Sequence, residues 1–419
     1  MPSTQKNVNE LANHLFRHES GKMIAVLSRL LGFQNLETAQ DIVQDTLLQA
    51  ISSWSYGKIP DNPEAWLYRV ARNKAIDFIR REKKLQEISP EYAYLLQSEY
   101  TLTPTVANLF LENEIQDSQL RMIFACCHPS IHPDSQIALT LKTLCGLSAA
   151  EIAKAFLTSE DTISKRIYRA KEKIRLERID LAVPAGAELS IRADAVLKTL
   201  YLLFNEGYNS SHPDYLIRED LCEEAMRLCQ LLIQFSPTSF PRSKALLALM
   251  CFQSSRLKTR QDGHGNIILL KHQDRRLWHT GLLAKGFESL EAAAEPFEIS
   301  TYHFEAAIAA QHAAAPSFEQ TDWKTIHHLY EQLYRLQPNP IVALNKAIAS
   351  AYAVSREQAL EELHQIKGLE KHHLYFATIG EMHWELGEKS TAKKYFEIAF
   401  GLTTSQTEQQ FLQQKISGC

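Results

Sequence analysis

NPEAWLYRVARNKAIDFIRREKK, Asn62 to Lys84, is the stretch around which the rest of the chain is read. Asn62 has the short polar side chain that caps a helix start, and Pro63 suits the first helical position, where no N–H is required. On a helical wheel Leu67, Val70, Ala71, Ala75, Phe78 and Ile79 gather on one side. Arg69, Arg72, Asn73 and Arg80 gather on the other. From Trp66 onward seven basic residues (69, 72, 74, 80, 81, 83 and 84) stand against the two acids Asp77 and Glu82. A helix so divided packs on a core by its apolar stripe. Its basic stripe serves either as a solvated face or as a seat for an anionic partner.

The rest of the chain limits what that partner can be. Its 419 residues suffice for two or three domains, with 45% apolar and 22% charged residues as in ordinary globular proteins. A net charge of −4 makes any nucleic-acid site a local patch rather than a global field. No run approaches the ~18 apolar residues of a membrane span. The opening MPSTQKNVNELANHLFRHES has no apolar signal core, so the reading expects a cytoplasmic protein without membrane contact. Seven cysteines read as reduced, mostly buried thiols.

Upstream of the opening stretch, residues 10 to 55 read as helices. In Glu37–Ala50 the reading puts Val43, Leu47, Leu48 and Ala50 on the packed side and Ile42, Thr46 and Gln49 away from it. Asp41, Gln44 and Asp45 form its exposed side. Ser55 to Asp61, after Trp54, is a loop rich in helix breakers. Residues 86–117, with Pro90 and Pro104, read as a linker holding at most a short helix. Beyond it, Ser135–Leu144, a turn at Cys145–Ser148, Ala149–Phe156, and a third helix opened by Ser159 form a helix-turn-helix pattern. The third helix presents Ile163, Ile167, Ala170 and Ile174 on one face and Asp161, Lys165, Tyr168 and Arg169 on the other. Such a pattern also occurs in helical cores that bind nothing. Pro184 to Ala187 marks a boundary. The remainder reads as helical: Ala193–Asn205, Glu219–Phe235, Pro241–Ser254, Phe287–Ala294, and hairpins at 327–353 and 373–402. Gln261–Leu270 interrupts it as a turn and a short extended segment. Trp384, Leu386, Gly387, Ala392, Tyr395 and Ala399 have tetratricopeptide-type spacing, a repeat that builds interaction surfaces.

Several constellations do not support chemistry. Cys126, Cys127, His128 and His132 lack the ligand spacing of a zinc site. Asp262–Asn266 departs from a calcium loop at its sixth and twelfth positions, Ile267 and Gln273. No GxxxxGK[ST], GxSxG or HExxH stretch occurs. No metal, no cofactor and no catalysis of its own are expected. Asp274-Arg275-Arg276 reads as an internal ion-pair cluster or a contact for the N-terminal half.

Taken in order, three motifs resemble the sigma-70 family of RNA polymerase initiation factors, of the small extracytoplasmic-function (ECF) type. They are AQDIVQDT (39–46), WLYRVARN (66–73) with Asp77 and Arg80, and LSAAEIAKAF (147–156) with Ile163, Ile167 and Ala170. YLLFNEGY (201–208) and DRRLW (274–278) resemble the C-terminal extension of one subgroup. The resemblance implies an all-α fold. It comprises region 2 at 10–85, the linker at 86–117, a region 4 helix-turn-helix at 118–183 and a tetratricopeptide-like, regulatory domain at 184–419. It implies partners: the polymerase core, through its β′ and β subunits, and promoter DNA. An intramolecular contact between the C-terminal domain and the sigma domains is a further expectation. Asp41, Gln44 and Asp45 would dock on the core. Tyr56, Lys58, Asp61 and Asn62 would hold a flipped base of the −10 element, with Trp66 at the pocket edge or serving as a core anchor. Arg69, Arg72, Asn73 and Arg80 would line the backbone. Thr162, Ser164 and Lys165 would reach −35 base edges, with Arg166 and Arg169 on phosphates. The alternatives are a stand-alone helix-turn-helix regulator with a tetratricopeptide sensor, and an interaction scaffold.

Overall fold

The computed structural model describes residues 2–56, 59–81, 91–92, 94–96, 98–156, 158–210, 216–263, 265–295 and 298–419. Among them the fold is all-α, with short 3-10 turns and an isolated antiparallel bridge, Gln261 to Ile267, where an extended segment was expected. The chain divides into two compact units, up to Leu200 and from Tyr201.

The first unit is built on α1 (Pro2–Leu31). Met23, Ala25, Val26, Leu27, Leu30 and Leu31 are fully buried there. Burial of each larger side chain stabilises by roughly 1.5–3 kcal/mol. Around α1 pack α2 (Leu36–Tyr56) and α3 (Pro63–Arg81); α4 (Glu99–Asn108) packs on α3, and α5 (Glu112–Cys126) returns to α1. The helix-turn-helix follows as α6 (Pro133–Thr143), α7 (Ala149–Ala155) and α8 (Glu160–Glu177). Its helices start where the sequence supplies caps. Ser148 and Glu151 satisfy each other's backbone N–H groups at 3.1 and 2.7 Å, and Ser159 Oγ accepts from Thr162 N–H at 3.1 Å. On α8 the buried residues are Ile163, Ile167, Ala170 and Ile174, the apolar face read from the sequence. This part is held tightly to α1. A Cβ on Gly21 would lie 2.0 Å from the Leu144 backbone oxygen, so no other residue fits that crossing. Arg17 pairs with Glu151 at 2.6 Å.

The second unit takes the end of α9 (Ala187–Tyr208), then α10 (Glu219–Gln234), α11 (Pro241–Ser255), α12 (Thr280–Ala292) and α13 (Thr301–Ala314). Two hairpins follow, α14 (Trp323–Leu336) with α15 (Pro340–Ala353) and α17 (His373–Glu385) with α18 (Lys389–Leu402). Between them lies α16 (Arg356–Gln365), and α19 (Gln406–Gly418) follows. Ala392, Phe396, Ala399 and Leu412 form one core, Leu344, Ala347, Leu363 and Ile379 part of another. Gly387, at φ 82°, makes the left-handed turn between α17 and α18.

The structure corrects several readings. On α2, Ile42 (8% exposed) and Thr46 (0%) belong to the core with Ala39, Val43 and Ala50, whereas Leu48 is 63% exposed. The wheel failed because Thr46 returns its hydroxyl to the Ile42 carbonyl at 2.8 Å, which lets a polar residue sit in the buried stripe. Ile76 joins the buried stripe of α3. Within 86–117, α4 and the start of α5 form, and Tyr92, Leu96, Leu102, Val106, Leu109 and Ile115 are buried. In the second unit α13, α16 and α19 were not anticipated, and α12 begins at Thr280 rather than Phe287. Alanine-rich helices such as α13 lack the large apolar residues that mark a stripe.

Candidate nucleic-acid interface

The interface begins at the cap of α3. Asn62 Oδ1 accepts from Ala65 N–H at 2.9 Å, so this exposed side chain already works as the helix cap. Asp61 beside it is exposed. Tyr56 ends α2; its side chain and all of Lys58 lie outside the described residues, so the loop's base-holding role has no geometry here. Trp66 is half-buried, with its ring 5.5 Å from that of the buried Trp54, whose far side meets Phe16 at 6.0 Å.

α3 is fixed from behind by Leu67, Ala71, Ala75, Ile76 and Ile79. Tyr68 donates to the Glu19 carboxylate of α1, and burial, with that carboxylate's charge, pushes the phenol well above its ordinary range. Facing outward, Arg69, Asn73 and Arg80 are exposed and Arg72 is half-buried. Positions 69, 72, 73 and 80 follow helical spacing, so they line about 16 Å of one face at ~1.5 Å per residue. Among the described residues Arg69, Arg72 and Lys74 enter no ion pair, and Arg80 pairs with Asp77 at 3.6 Å. Asp41, Gln44 and Asp45 are all exposed on α2. Asp41 and Asp45 share a groove with Lys74, Asp77, Phe78 and Arg81 of α3, which Gln44 does not line.

α8 has a different electrostatic character. Thr162, Lys165, Arg166 and Arg169 line one groove with Asp134 and Lys173, while Ser164 is exposed outside it. Most of its cations are already matched. Lys165 meets Asp161 at 2.7 Å, Arg166 meets Asp134 at 2.9 Å, Lys173 meets Glu177 at 2.5 Å and Arg175 meets Glu172 at 3.2 Å. Lys171 turns the other way, to Glu37 at 3.3 Å and Gln40 at 2.8 Å on α2. Arg169 has no such partner among the described residues. The sequence places Asp161 on the same face as Lys165, but these pairings were not among the expectations. Asp161–Lys165 and Lys173–Glu177 are i,i+4 pairs and could have been found from spacing. Asp134–Arg166 and Glu37–Lys171 join distant elements and could not.

The remaining constellations have structural partners. Cys126 contacts the Thr143 hydroxyl at 3.4 Å and Cys127 that of Thr199 at 3.7 Å, and burial pushes Cys127 up to about 11. His132 caps α6 by accepting from Asp134 N–H. Asp262 accepts from Asn266 N–H at 2.9 Å, closing its own turn. Arg276 pairs with Asp274 at 2.7 Å, and Arg275 donates to the carbonyls of His312 and Ala315.

Comparison with known proteins gives three matched segments. Residues 15–85 match Sigma-70 region 2, residues 121–174 match Sigma-70 region 4, and residues 192–294 match a family of unknown function (DUF6596). An uncharacterized protein of Rhizobium meliloti is 34% identical over 385 residues, 92% of this chain and 90% of its own. The ECF RNA polymerase sigma factor SigW of Bacillus subtilis is 28% identical over 170 residues, 38% of this chain and 84% of its own. The ECF sigma factor SigE of Mycolicibacterium smegmatis is 27% identical over 176 residues, 42% of this chain and 61% of its own. No helix among the described residues is long and apolar enough to cross a membrane.

Proposed function

The chain belongs to the sigma-70 family of RNA polymerase sigma factors, and on that premise we propose that it carries core polymerase to particular promoters as an ECF-type factor in the cytoplasm. The observation that carries the reading is the succession of both family regions in one chain, at 15–85 and 121–174. Each brings a surface of the sign its partner requires. The exposed acid and amide face of Asp41, Gln44 and Asp45 suits a basic coiled coil of the core, and we assign it to the β′ subunit, with β as a further contact. Arg69, Arg72 and Lys74 of α3, which enter no ion pair among the described residues, suit the phosphates of an opened −10 strand. Thr162, Ser164, Lys165, Arg166 and Arg169 suit the −35 major groove. Weak contacts of this kind gain by being tethered on one polymerase.

We assign a regulatory role to the tetratricopeptide-like C-terminal unit, exerted on the sigma regions of the same chain. Its hairpins and the Trp384–Ala399 spacing support this.

The test is run-off transcription with purified core polymerase on genomic promoter fragments. Initiation above that of core alone is expected, and its absence on every fragment sinks the reading. Charge reversal of that face by Asp41→Lys with Asp45→Lys should abolish core binding; a stand-alone regulator would bind its operator unaffected. A chain truncated after Pro184 should differ from the full chain in promoter activity or its control. Identical behaviour would remove the regulatory role.

A further inference from the structure

The second unit contains a pocket that the promoter reading does not use. It has a cavity volume of about 370 Å³, within the range of small-molecule sites. Its walls come from α13 to α15 and α17 to α19, with Leu269 to Lys271 at one side.

One wall is aromatic. Trp323 and Tyr352 stack at 4.6 Å with 29° between planes, and Phe318 meets both edge-on at 4.9 and 5.1 Å. These rings touch one another, so they form a closed aromatic cluster and leave no gap between them for a cation. Inside the pocket sit polar groups with nothing to bond to. His312 Nδ1 is buried without a hydrogen-bond partner, its ring edge-on to Trp323 at 5.2 Å. The Tyr330 hydroxyl and the Asn345 amide, both on the lining, make no hydrogen bond to a described residue. A buried polar group left unpaired costs about 1–3 kcal/mol, so His312 Nδ1, with the Tyr330 hydroxyl and the Asn345 amide unpartnered on the same lining, marks a place for a polar partner.

The charges define what that partner is. Burial, then the nearby Arg256 and Arg275 guanidiniums, hold His312 down to about 3, so it is neutral at physiological pH. Lys271 is held by Glu381 at 2.6 Å and Glu385 at 3.3 Å, and Lys415 by Glu381 at 2.7 Å. A ligand anion would face those two carboxylates and a ligand cation those two ammoniums. Lys271, Lys415, Glu381 and Glu385 are thus matched among themselves and offer a charged ligand no free partner.

We propose that this pocket binds an uncharged, flat aromatic molecule of about two or three fused rings bearing a carbonyl-type acceptor and a donor. The ring system lies on the Trp323–Tyr352 wall. Its polar edge meets His312, Tyr330 and Asn345. This is a property of the second unit alone, and it stands or falls independently of promoter recognition.

The test uses the full chain and acridone, a neutral three-ring fluorophore with one N–H and one carbonyl. Saturable one-to-one binding is expected, with tryptophan-to-acridone energy transfer that Trp323→Phe lowers. Ala377→Phe, at a half-buried lining position, should weaken binding at least tenfold by filling the space. His312→Phe, which keeps a ring and loses the nitrogens, should weaken it about fivefold. Cationic 9-aminoacridine and anionic 2-naphthoate should bind at least tenfold more weakly than acridone. Thermal unfolding identifies any variant that fails to fold, and energy transfer in Trp323→Phe locates the site without the other two. Absence of saturable acridone binding overturns the proposal. So does binding that survives all three substitutions in folded protein, or a preference for either charged probe.

Discussion

α3 and α8 carry the same kind of side chains in the same kind of stripe, yet they differ in what those side chains already hold. On α3, Arg69, Arg72 and Lys74 have no carboxylate partner among the described residues. On α8, Lys165, Arg166, Lys171, Lys173 and Arg175 each have one. A phosphate approaching α3 meets free cations. One approaching α8 must displace carboxylates, each exchange costing up to about 1 kcal/mol at an exposed pair. A count of basic residues therefore overstates α8 as an electrostatic surface. On the proposed reading α8 would contribute through base edges and Arg169, and α3 through charge.

The contrast can be broken at several points. The largest effect is expected from Arg69→Ala with Arg72→Ala. Open-complex formation should fall about 30-fold, at roughly 1 kcal/mol per lost phosphate contact, while core binding holds. The salt dependence should flatten by about one unit of slope per arginine. Equal losses of core binding and opening would mean that α3 is a packing element. Next, Arg169→Ala should lower −35 duplex affinity about fivefold, whereas Lys165→Ala, already paired with Asp161, should change it about twofold. Band-shift titration at fixed salt compares the two, and equal losses would erase the distinction drawn from pairing. Ser159→Ala removes the cap of α8 and should cost about 1 kcal/mol, lowering Tm by a few degrees in a calorimetric scan. The smallest change, of opposite sign, is expected from Asp161→Ala. Freed of its carboxylate, Lys165 should bind duplex about twofold tighter at low salt, with the gain disappearing at high salt.

How much of this was legible in the sequence varies with the kind of signal. Ile163, Ile167, Ala170 and Ile174 were read as buried, and they are, because an isoleucine stripe at helical spacing has one low-energy way to pack. Asn62 reads as a cap, and it caps, because the bond spans three residues and needs nothing distant. Ile42, Thr46 and Leu48 were misassigned because the difference between a core position and a rim position on α2 depends on which helix covers it. The assigned roles of Asp41, Arg69, Thr162 and their neighbours are a separate matter, since exposure shows that they are available and not what they bind.

The sequence by itself determined the all-α class, the helices with a marked apolar stripe, the cap at Asn62, the buried face of α8 and the order of the two sigma regions. These depend on periodicity and on bonds over three or four residues. The tertiary structure alone decided which cations are spoken for. Asp134 reaches Arg166, and Glu37 reaches Lys171, across separations with no periodic signature. It also decided the pocket of the second unit, whose His312, Tyr330 and Asn345 come from three helices and share a cavity only once those helices have packed. Burial and pairing are sums over neighbours brought together by folding, and a linear pattern does not contain them.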